Sequence, residues 1–481
     1  MTVETERLFV GGIWRDAAGT FDDVNPANGE VWRRVADAGA EAASDAVEAA
    51  RAAQPEWAAL PHDQRAKVLI QAMSAIDDLQ DTLVEALVDE GGAWIGKAMF
   101  ETGYATGIAQ AAAAAAHMVT GELLPSDHGK LSMVVREPVG VVSVISPWNF
   151  PLLLSMRAVA FALAVGNAVV LKPSEETPVS GGVLVAKIFE AAGLPPGLLS
   201  VVTCSRDHVA EVGEVLVSHP AVGVVSFTGS TAVGREIGAL GGRHLKRVAL
   251  ELGGKDALIV LDDADLDRAV GAATFGSFMH AGQICMATER ILVDAAVAQE
   301  FTERFVATTA GLTVGDPRSN IIGPVINAKQ AGKIRRHIDD AVAHGATVRA
   351  GGGNDGLFFE PTVLDAVTPD MTIWTEETFG PVAPVITVSG EEEAIKLAND
   401  SEYGLSAGII TADDERGLSV ARRLETGMAH VNDTSVYDEP NAPFGGVKSS
   451  GLGRHGGKAA IEAFTRTRWI TLERGGRLYP F

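Results

Sequence analysis

The chain has 481 residues, of which 47% are hydrophobic and 21% are charged. This balance is typical of a folded globular protein and excludes a chain that stays disordered. A chain of this length is expected to form about two or three domains. Its 39 basic and 62 acidic residues give a net charge of −23, which disfavours binding to nucleic acid or to an anionic membrane.

The cysteine content and the N-terminal sequence both favour a cytoplasmic protein. Two cysteines, Cys204 and Cys285, are too few for a disulfide framework. Residues 1–15 lack a basic region followed by an apolar stretch, so we expect no signal peptide. The apolar segment 152–171 contains Arg157, and we interpret it as a buried helix and strand, not as a membrane span.

The first third of the chain is predicted to be mostly helical. Helical spacing of apolar residues predicts helices over 41–54, 63–90 and 105–117. A shorter, more polar pattern follows, and it predicts a strand over 131–136. This strand does not continue the helical pattern, so we expect it to be an excursion from the core.

From residue 139 the sequence alternates between strand and helix patterns. Strands are predicted over 139–145, 168–171, 199–203, 222–227 and 248–250, and helices over 152–165, 179–192, 208–218 and 232–240. This alternation predicts an α/β fold with a covered parallel sheet, which would bind ligands at the carboxyl ends of its strands. A second series of strands and helices, from 257 to about 431, predicts a second lobe.

Cys285 is a candidate nucleophile. It follows the turn-like pair Gly282-Gln283, and the preceding residues 274–280 have a helical pattern. A lone cysteine is more often a small buried apolar side chain. However, a thiol at such a break can be activated by backbone N–H groups, and a thiolate attacks carbonyl carbon.

Two polar residues are candidates to assist this thiol. Glu251 follows a predicted strand and precedes a glycine pair, which suits a base at the ligand crevice but also suits an ion-pair partner. Asn149 lies between Pro147 and Pro151, whose stiff backbone would hold its amide ready to donate to an oxyanion. The same pattern also fits a rigid turn.

Two loops at predicted strand ends suit an anionic dinucleotide, although each alone also fits a surface turn. Gly229 and Ser230 lie between a strand and a helix, where backbone N–H groups can bind phosphate. Lys172 and Glu175 follow another strand, where they can bind ribose hydroxyls. The sequence has no Cys/His cluster or HExxH motif, so no metal site is predicted.

Together, seven segments resemble the motifs of the aldehyde dehydrogenase superfamily in order and spacing. They are 147–151, 172–175, 227–230, 251–254, 282–285, 377–381 and 443–446. The resemblance spans nearly the whole chain and implies two Rossmann-like α/β domains with a small β oligomerisation arm, in a homodimer or homotetramer. It implies an NAD-binding domain (1–118 and 139–250), a catalytic domain (251–457) and an arm (119–138 and 458–481).

The resemblance also implies the role of each matching residue. Cys285 would be the nucleophile, Glu251 the general base that activates water to hydrolyse a thioester, and Asn149 the oxyanion donor together with the Cys285 backbone N–H. The implied cofactor contacts are Trp148, Lys172, Glu175, Gly213, Gly229, Ser230, Glu377 and Phe379. Glu175 would repel a 2′-phosphate, so NAD is expected to be preferred over NADP, although Lys172 partly offsets this.

The substrate prediction depends on two further segments. Residues 286–290 and 432–440 resemble the benzaldehyde and salicylaldehyde dehydrogenase branch, which implies an aromatic aldehyde. The candidate substrate contacts are Arg157, Ile284, Met286 and Tyr437. For Arg157 two interpretations stay open, a hydrogen bond to a ring substituent or a structural ion pair.

Other functions stay open on the sequence alone. A thiol hydrolase or acyltransferase without redox chemistry could also use Cys285, and an aldehyde dehydrogenase of this kind could act on aliphatic aldehydes. Glu251 disfavours a CoA-acylating dehydrogenase, because an activated water would compete for the thioester. The joint presence of Cys285, Glu251 and Asn149 argues against a binding protein without catalytic activity.

Overall fold

The computed structural model describes residues 3–126, 129–476 and 478–481. In chain order, the helices are α1 (Ala40–Ala59), α2 (His62–Asp78), α3 (Gln80–Asp89), α4 (Ile95–Ala116), α5 (Pro151–Ala164), α6 (Leu184–Ala191), α7 (Val209–Ser218), α8 (Thr231–Arg243), α9 (Leu266–Phe278), α10 (Ala298–Ala310), α11 (Ala328–Ala343), α12 (Thr372–Thr375), α13 (Glu391–Asn399), α14 (Asp414–Ala421) and α15 (Gly457–Phe464).

The strands are short and lie mostly between these helices. In chain order, they are β1 (Thr5–Glu6), β2 (Leu8–Val10), β3 (Ile13–Arg15), β4 (Gly19–Val24), β5 (Val31–Asp37), β6 (Glu122–Leu124), β7 (Leu131–Pro138), β8 (Val141–Ile145), β9 (Ala168–Lys172), β10 (Leu199–Val201), β11 (Val222–Thr228), β12 (Arg247–Glu251), β13 (Asp256–Val260), β14 (Thr288–Asp294), β15 (Thr347–Ala350), β16 (Asn354–Asp355), β17 (Phe358–Phe359), β18 (Thr362–Asp365), β19 (Val382–Val388), β20 (Ala407–Ile410), β21 (His430–Val431), β22 (Gly451–Leu452) and β23 (Thr465–Leu472).

The first large sheet has the order β22-β12-β11-β8-β9-β10-β2-β3. Five central strands are parallel: β12, β11, β8, β9 and β10. Antiparallel strands flank them, β22 on one side and β2 and β3 on the other. Every residue of β8 and β9 is buried, as expected for strands that helices cover on both faces. The predicted parallel sheet is therefore confirmed.

The second large sheet has the order β15-β18-β19-β14-β13-β20-β21 and is parallel except for β15. Each large sheet has its own apolar core: Leu252 belongs to the first core and Ala257 to the second. The predicted second lobe is thus present. The chain passes from one core to the other within residues 253–256, directly after β12.

A third sheet, of three antiparallel strands, has the order β23-β7-β6. Strand β23 pairs with β7 over its whole length, from Thr465 opposite Pro138 to Leu472 opposite Leu131. Helix α15, which precedes β23, packs instead into the first core through Phe464 and its neighbours. Residues 458–464 therefore differ from the expected arm, because their apolar side chains are buried against the first large sheet. Two positions of the expected arm, 127 and 128, lie outside the described residues, as does 477.

Several predicted helices differ in detail from the observed ones. Helix α4 begins at Ile95, ten residues before the predicted start, and α1 continues to Ala59, five residues beyond the predicted end, because glycines in α4 and Pro55 in α1 weaken the helical pattern. The helix predicted over 63–90 is divided at Leu79 into α2 and α3, because periodic apolar spacing alone does not mark a one-residue break. The helix predicted over 179–192 begins as a π-helical turn, Val179–Val183. There the buried carboxylate of Glu90 accepts the backbone N–H groups of Val179 (2.6 Å) and Ser180 (2.8 Å).

The apolar segment 152–171 forms most of α5 and β9, as predicted, and lies inside the first core. Across the described part of the chain, no helix has both the length and the apolar character needed to cross a membrane.

Candidate active site

Three predicted site residues come together where the two large sheets meet. Glu251 ends β12 of the first sheet, and Cys285 lies in the loop before β14 of the second. Asn149 lies in the loop between β8 and α5. The junction is tight, since a Cβ atom at Gly254 would lie 2.6 Å from the carbonyl oxygen of Cys285. Glu251 and Asn149 thus lie at the carboxyl ends of parallel strands of the first sheet, as predicted, whereas Cys285 lies at the amino end of β14.

The Asn149 side chain is buried and tied to the loop that carries Cys285. Its Nδ2 donates to the backbone carbonyl of Gln283 at 3.0 Å. Gln283 is itself held in place, because its Oε1 accepts the backbone N–H of Ile326 (2.9 Å) and its Nε2 donates to the carbonyl of His280 (3.2 Å). A side-chain amide has two N–H bonds, so Asn149 keeps one donor beyond its bond to Gln283.

The backbone before Cys285 is strained. Helix α9 ends at Phe278, and His280, Ala281 and Gly282 have φ values of 52°, 53° and 69°. The prediction that the helix continues to residue 280 is therefore wrong, because φ values in the left-handed region cannot continue an α-helix. A Cβ atom at Gly282 would lie 2.2 Å from the carbonyl oxygen of Gly380, so this close approach requires glycine.

The Cys285 thiol is half-buried, and its electrostatic surroundings are mixed. Burial raises the pKa of the thiol, and the nearby carboxyl groups of Asp256, Glu377 and Glu251 raise it further. The guanidinium of Arg157 lowers it. The raised pKa favours the protonated thiol, so its reaction as a nucleophile requires the removal of its proton.

Glu251 is a buried carboxyl group whose two oxygens accept no hydrogen bond from the residues that the structure describes. Burial raises its pKa well above the ordinary value, while the guanidinium groups of Arg157 and Arg454 oppose the shift. The backbone of Gly445 lies against it, since a Cβ atom there would be 2.6 Å from Oε1. A buried carboxylate with free acceptor positions is suited to take a proton from water.

The start of α8 is shaped to bind an anion. Ser230 is the N-cap residue, and its side chain accepts the backbone N–H of Val233. Gly229 leaves no room for a side chain, because a Cβ atom there would lie 2.7 Å from the ring of Phe227. On the neighbouring α7, a Cβ atom at Gly213 would meet nothing within 4 Å. These residues fit a pyrophosphate at a helix N-terminus, with open space at Gly213.

At the end of β9, Lys172 and Glu175 form one charged group with Arg206. The Nζ of Lys172 lies 3.8 Å from Glu175 Oε2, and a guanidinium nitrogen of Arg206 lies 3.3 Å from Glu175 Oε1. The sequence prediction did not include Arg206. It follows β10, and only the pairing of β10 beside β9 brings it to Glu175.

Glu377 and Phe379 lie on a loop that a buried ion pair holds in place through backbone hydrogen bonds. The Oε1 of Glu377 accepts the backbone N–H of Gly254 at 3.0 Å. The carboxylate of Glu289 accepts the backbone N–H groups of residues 378 and 379 and pairs with Lys255 Nζ at 2.6 Å. Burial and the charge of Glu289 raise the pKa of Glu377 to about 7.

Aromatic rings border this loop and fit a planar cofactor ring. The rings of Trp148 and Phe379 meet edge to face, with centroids 5.4 Å apart. Phe379 adopts a positive φ of 55°, which places its side chain beside Trp148. Aromatic pairs in this arrangement have favourable electrostatics, so each ring stabilises the position of the other.

Cys285 packs against an apolar cluster. Its buried members are Ile284, Met286, Ala287, Leu405 and Phe444, and the half-buried residues packed against them are Phe150, Met279, Cys285, Met428 and Val436. The predicted contacts Ile284 and Met286 belong to this cluster. Sequence reasoning did not select Phe150 and Phe444, although both lie within the recognised motifs.

The other two predicted substrate contacts are placed differently. Arg157 is buried, forms an ion pair with Asp438 and stacks over the ring of Phe444 at 4.6 Å. The ion pair, one of the two interpretations of Arg157, is therefore present, and a contact of Arg157 with the substrate stays a prediction. Tyr437 is outside the apolar cluster: it is 45% exposed and its hydroxyl donates to Glu439. Within the described ranges, no group of three or more His, Cys, Asp or Glu side chains is arranged to hold a metal ion.

Comparison of the sequence with known proteins identifies the family of the chain. A family profile described as the aldehyde dehydrogenase family matches residues 14–470. The chain belongs to the aldehyde dehydrogenase family. It is 48% identical to a vanillin dehydrogenase of an Amycolatopsis species, over 99% of this chain and 98% of that one. It is 45% identical to a benzaldehyde dehydrogenase [NAD(+)] of Pseudomonas putida, over 97% and 96% of the two chains.

A solved structure of another aldehyde dehydrogenase has the same fold. It is a salicylaldehyde dehydrogenase from Pseudomonas putida G7 complexed with salicylaldehyde. Its sequence is 40% identical, the match covers 100% of both chains, and the TM-score is 0.97. The predicted family and the predicted α/β fold are therefore confirmed.

Proposed function

We propose that this aldehyde dehydrogenase oxidises an aromatic aldehyde to its carboxylic acid, with NAD as the oxidant. The observation that carries the proposal is the placement of Cys285. It lies within an apolar cluster, next to an anchored amide from Asn149 and close to the buried carboxyl group of Glu251. This set can attack a carbonyl carbon, stabilise the resulting oxyanion and activate water.

In the first half-reaction the Cys285 thiol loses its proton to solvent, and the resulting thiolate forms a bond from sulfur to the carbonyl carbon. The electron pair of the carbonyl π bond moves to oxygen, and the new oxyanion is stabilised by the Asn149 side chain and the Cys285 backbone N–H. One such donor contributes about 3–4 kcal/mol. NAD, when bound, supplies the oxidation by accepting the hydride of the former aldehyde carbon. The carbon is then a thioester of Cys285.

In the second half-reaction Glu251 accepts a proton from water while the water oxygen bonds to the thioester carbon. The bond from carbon to sulfur breaks, and Cys285 leaves as thiolate. The carboxylate is the product, so aldehyde, NAD and water are converted to acid, NADH and protons. A water-activating base at this point favours the free acid over transfer to another thiol.

The proposed cofactor contacts come from the end of β9, from the loops after β8 and β11, from α7 and from the loop before β19. Lys172 and Glu175 would bind the adenosine ribose, Gly229 and Ser230 the pyrophosphate, and Glu377 the nicotinamide ribose. Trp148 and Phe379 would border the nicotinamide, and Gly213 the adenine. The carboxylate of Glu175 disfavours a 2′-phosphate. A relative that is named an NAD(+) enzyme supports the same cofactor.

The proposed substrate class is supported by the apolar cluster and by the relatives. Phe150 and Phe444 can pack against an aromatic ring beside Cys285, as can Ile284 and Met286. The relatives are named for vanillin, benzaldehyde and salicylaldehyde, which are all aromatic aldehydes. We therefore expect kcat/KM for benzaldehyde to exceed that for acetaldehyde.

The test is an NAD-reduction assay over aromatic and aliphatic aldehydes, with Cys285→Ala as the control. We expect NADH formation with benzaldehyde-like substrates and none with the variant. Activity that survives in Cys285→Ala would overturn the mechanism. Turnover of acyl esters without any NADH formation from aldehydes would favour a hydrolase that performs no redox chemistry.

We also propose the setting in which this reaction takes place. The low cysteine content favours a cytoplasmic enzyme. The domains proposed for it are those of the sequence analysis, with α15 joined to the NAD-binding part. The sheet of β6, β7 and β23 is the proposed arm of a homodimer or homotetramer.

A further inference from the structure

A buried ion pair lies behind the loop that carries Asn149. Lys97 and Glu101 lie one turn apart on α4, are 1% and 0% exposed, and pair at 2.5 Å between Nζ and Oε2. No step of the proposed mechanism uses either residue. Two charges buried this deeply need a reason, because removing them from water costs several kcal/mol per ion.

Lys97 directs its ammonium group at the loop between β8 and α5, which carries Asn149. Its Nζ donates to the backbone carbonyl of Asn149 at 2.8 Å and lies 4.2 Å from the centre of the Phe150 ring. Together with Glu101, these contacts match the three donors of an ammonium group. Two of the three therefore hold consecutive residues of the loop.

Glu101 holds the next part of the same loop. Its Oε1 accepts the backbone N–H of Leu153 at 3.0 Å, one of the N–H groups that the first turn of α5 leaves unpaired. The N-cap residue of α5, Phe150, has no side chain that can cap the helix. Glu101 takes the place of the missing cap. The ion pair therefore binds the backbone on both sides of Pro151, at Asn149 and at Leu153.

We propose that Lys97 and Glu101 are positioning residues for the oxyanion donor. They fix the backbone from Asn149 to Leu153, so that the Asn149 amide keeps one N–H on the carbonyl of Gln283 and directs the other at the substrate oxygen. This inference rests on the proposed function. Stability alone is a poor reason for the pair, because well-packed apolar residues often replace a buried ion pair without loss of stability.

The test combines Lys97→Met with Asn149→Ala in a double-mutant cycle. In the wild-type background we expect Lys97→Met to lower kcat by at least about tenfold, a part of the 10²–10³ that an oxyanion donor contributes. In the Asn149→Ala background we expect a further loss of less than about twofold, because residues that act through one group are not additive. The KM for NAD should stay within about twofold of wild type in both backgrounds.

Two measurements separate positioning from general damage to the fold. The rate at which iodoacetamide alkylates Cys285 should be unchanged in Lys97→Met, since alkylation needs no oxyanion donor. Lys187→Met is the matched control: its Nζ pairs with Glu6 at 3.3 Å, away from the site, and its kcat should equal that of wild type. If Lys97→Met does not fold, Glu101→Gln takes its place in the cycle, because it keeps an acceptor for Leu153 and removes only the charge.

The possible outcomes are distinct. An equal loss of kcat in both Asn149 backgrounds, or no loss in either, would overturn the positioning role. A wild-type enzyme that forms no NADH from any aldehyde would overturn the proposed function itself.

Discussion

Glu251 can act as a base only in its ionised form, and its burial opposes that form. Because burial raises its pKa, the carboxyl group keeps its proton at pH values where an exposed glutamate is already ionised. We expect thioester hydrolysis to slow as the pH falls through this raised pKa and to reach a plateau above it. Single-turnover hydrolysis of the acyl-enzyme, followed across pH, measures this dependence directly.

Glu251→Gln provides the control for this profile. The amide cannot accept a proton, so hydrolysis should be about 10²–10⁴ times slower, and the pH dependence assigned to this group should disappear. The burst of NADH from the first half-reaction should remain. A variant that keeps the wild-type pH profile would show that another group activates the water.

Glu175 is expected to decide between NAD and NADP. Its carboxylate pairs with both Lys172 and Arg206, and a 2′-phosphate at the ribose would meet its negative charge. Like charges brought together cost several kcal/mol, so Glu175→Ala should raise the ratio of kcat/KM for NADP to that for NAD by at least about tenfold. Steady-state kinetics with both cofactors measure this ratio.

Arg206→Ala is the matched variant for this test. It removes a cation from the same group, so it should lower kcat/KM for NADP more than for NAD. An unchanged ratio in both variants would contradict the proposed position of the ribose.

At the level of single residues, the sequence could predict the proposed nucleophile and oxyanion donor but not the residues that we propose to position them. Cys285 and Asn149 stand in short local motifs that a reader can recognise. Lys97 and Glu101 have only the spacing of an ordinary exposed helical pair, and their contacts with Asn149 and Leu153 span 52 residues each. Such partners leave no local pattern and become visible only when α4 packs beside α5.

The turn between α9 and β14 depends on one glycine. At Gly282 φ is 69°, and an added Cβ atom would lie 2.2 Å from the carbonyl oxygen of Gly380. Gly282→Ala should therefore destabilise the protein by about 1–3 kcal/mol, through left-handed strain and overpacking. It should also lower kcat, because the shift displaces the loop of Cys285. Thermal unfolding and steady-state kinetics measure the two effects.

Gly271→Ala offers the opposite outcome within the same element. Gly271 lies in α9, and an added Cβ atom there would meet nothing within 4 Å. Alanine is favoured over glycine inside a helix by about 0.5–1 kcal/mol, so this variant should be slightly more stable and fully active. Equal behaviour of the two variants would contradict the role assigned to Gly282.

At the level of elements, periodicity was sufficient to predict the order of strands and helices around the first large sheet. The strands and helices from β8 to β12 follow the predicted order because alternating apolar runs and amphipathic helices have distinct periods. Periodicity failed at His280, where the backbone turns left-handed. That turn is held by long-range contacts, such as those of Gln283 with Ile326 and of Gly282 with Gly380, which a local pattern does not contain.

At the level of the whole molecule, the site is a product of the junction between two sheets. The first sheet supplies Glu251 and, through the loop after β8, Asn149. The second sheet supplies Cys285, and the loop before β19 supplies Glu377. Neither core contains a complete set of groups, so catalysis depends on the packing across residues 253–256. This explains why positions 253 and 254 are glycine. A Cβ atom would lie 2.6 Å from Glu377 at Gly253 and 2.6 Å from Cys285 at Gly254.

The third sheet gives the last prediction, which concerns assembly. It exposes large apolar side chains on strands outside both cores, among them Leu123 (76%) and Trp469 (69%). Clustered exposed apolar side chains mark interaction surfaces, so we expect copies of the chain to associate through this sheet. Leu123→Glu combined with Trp469→Glu should lower the mass in solution, measured by size-exclusion chromatography with light scattering, because a buried unpaired charge opposes association. Leu245→Glu is the control, since Leu245 is 93% exposed but lies beyond α8 on the first lobe, and it should leave the mass unchanged. A wild-type protein that is monomeric, or a double variant with the wild-type mass, would show that this sheet is not the interface.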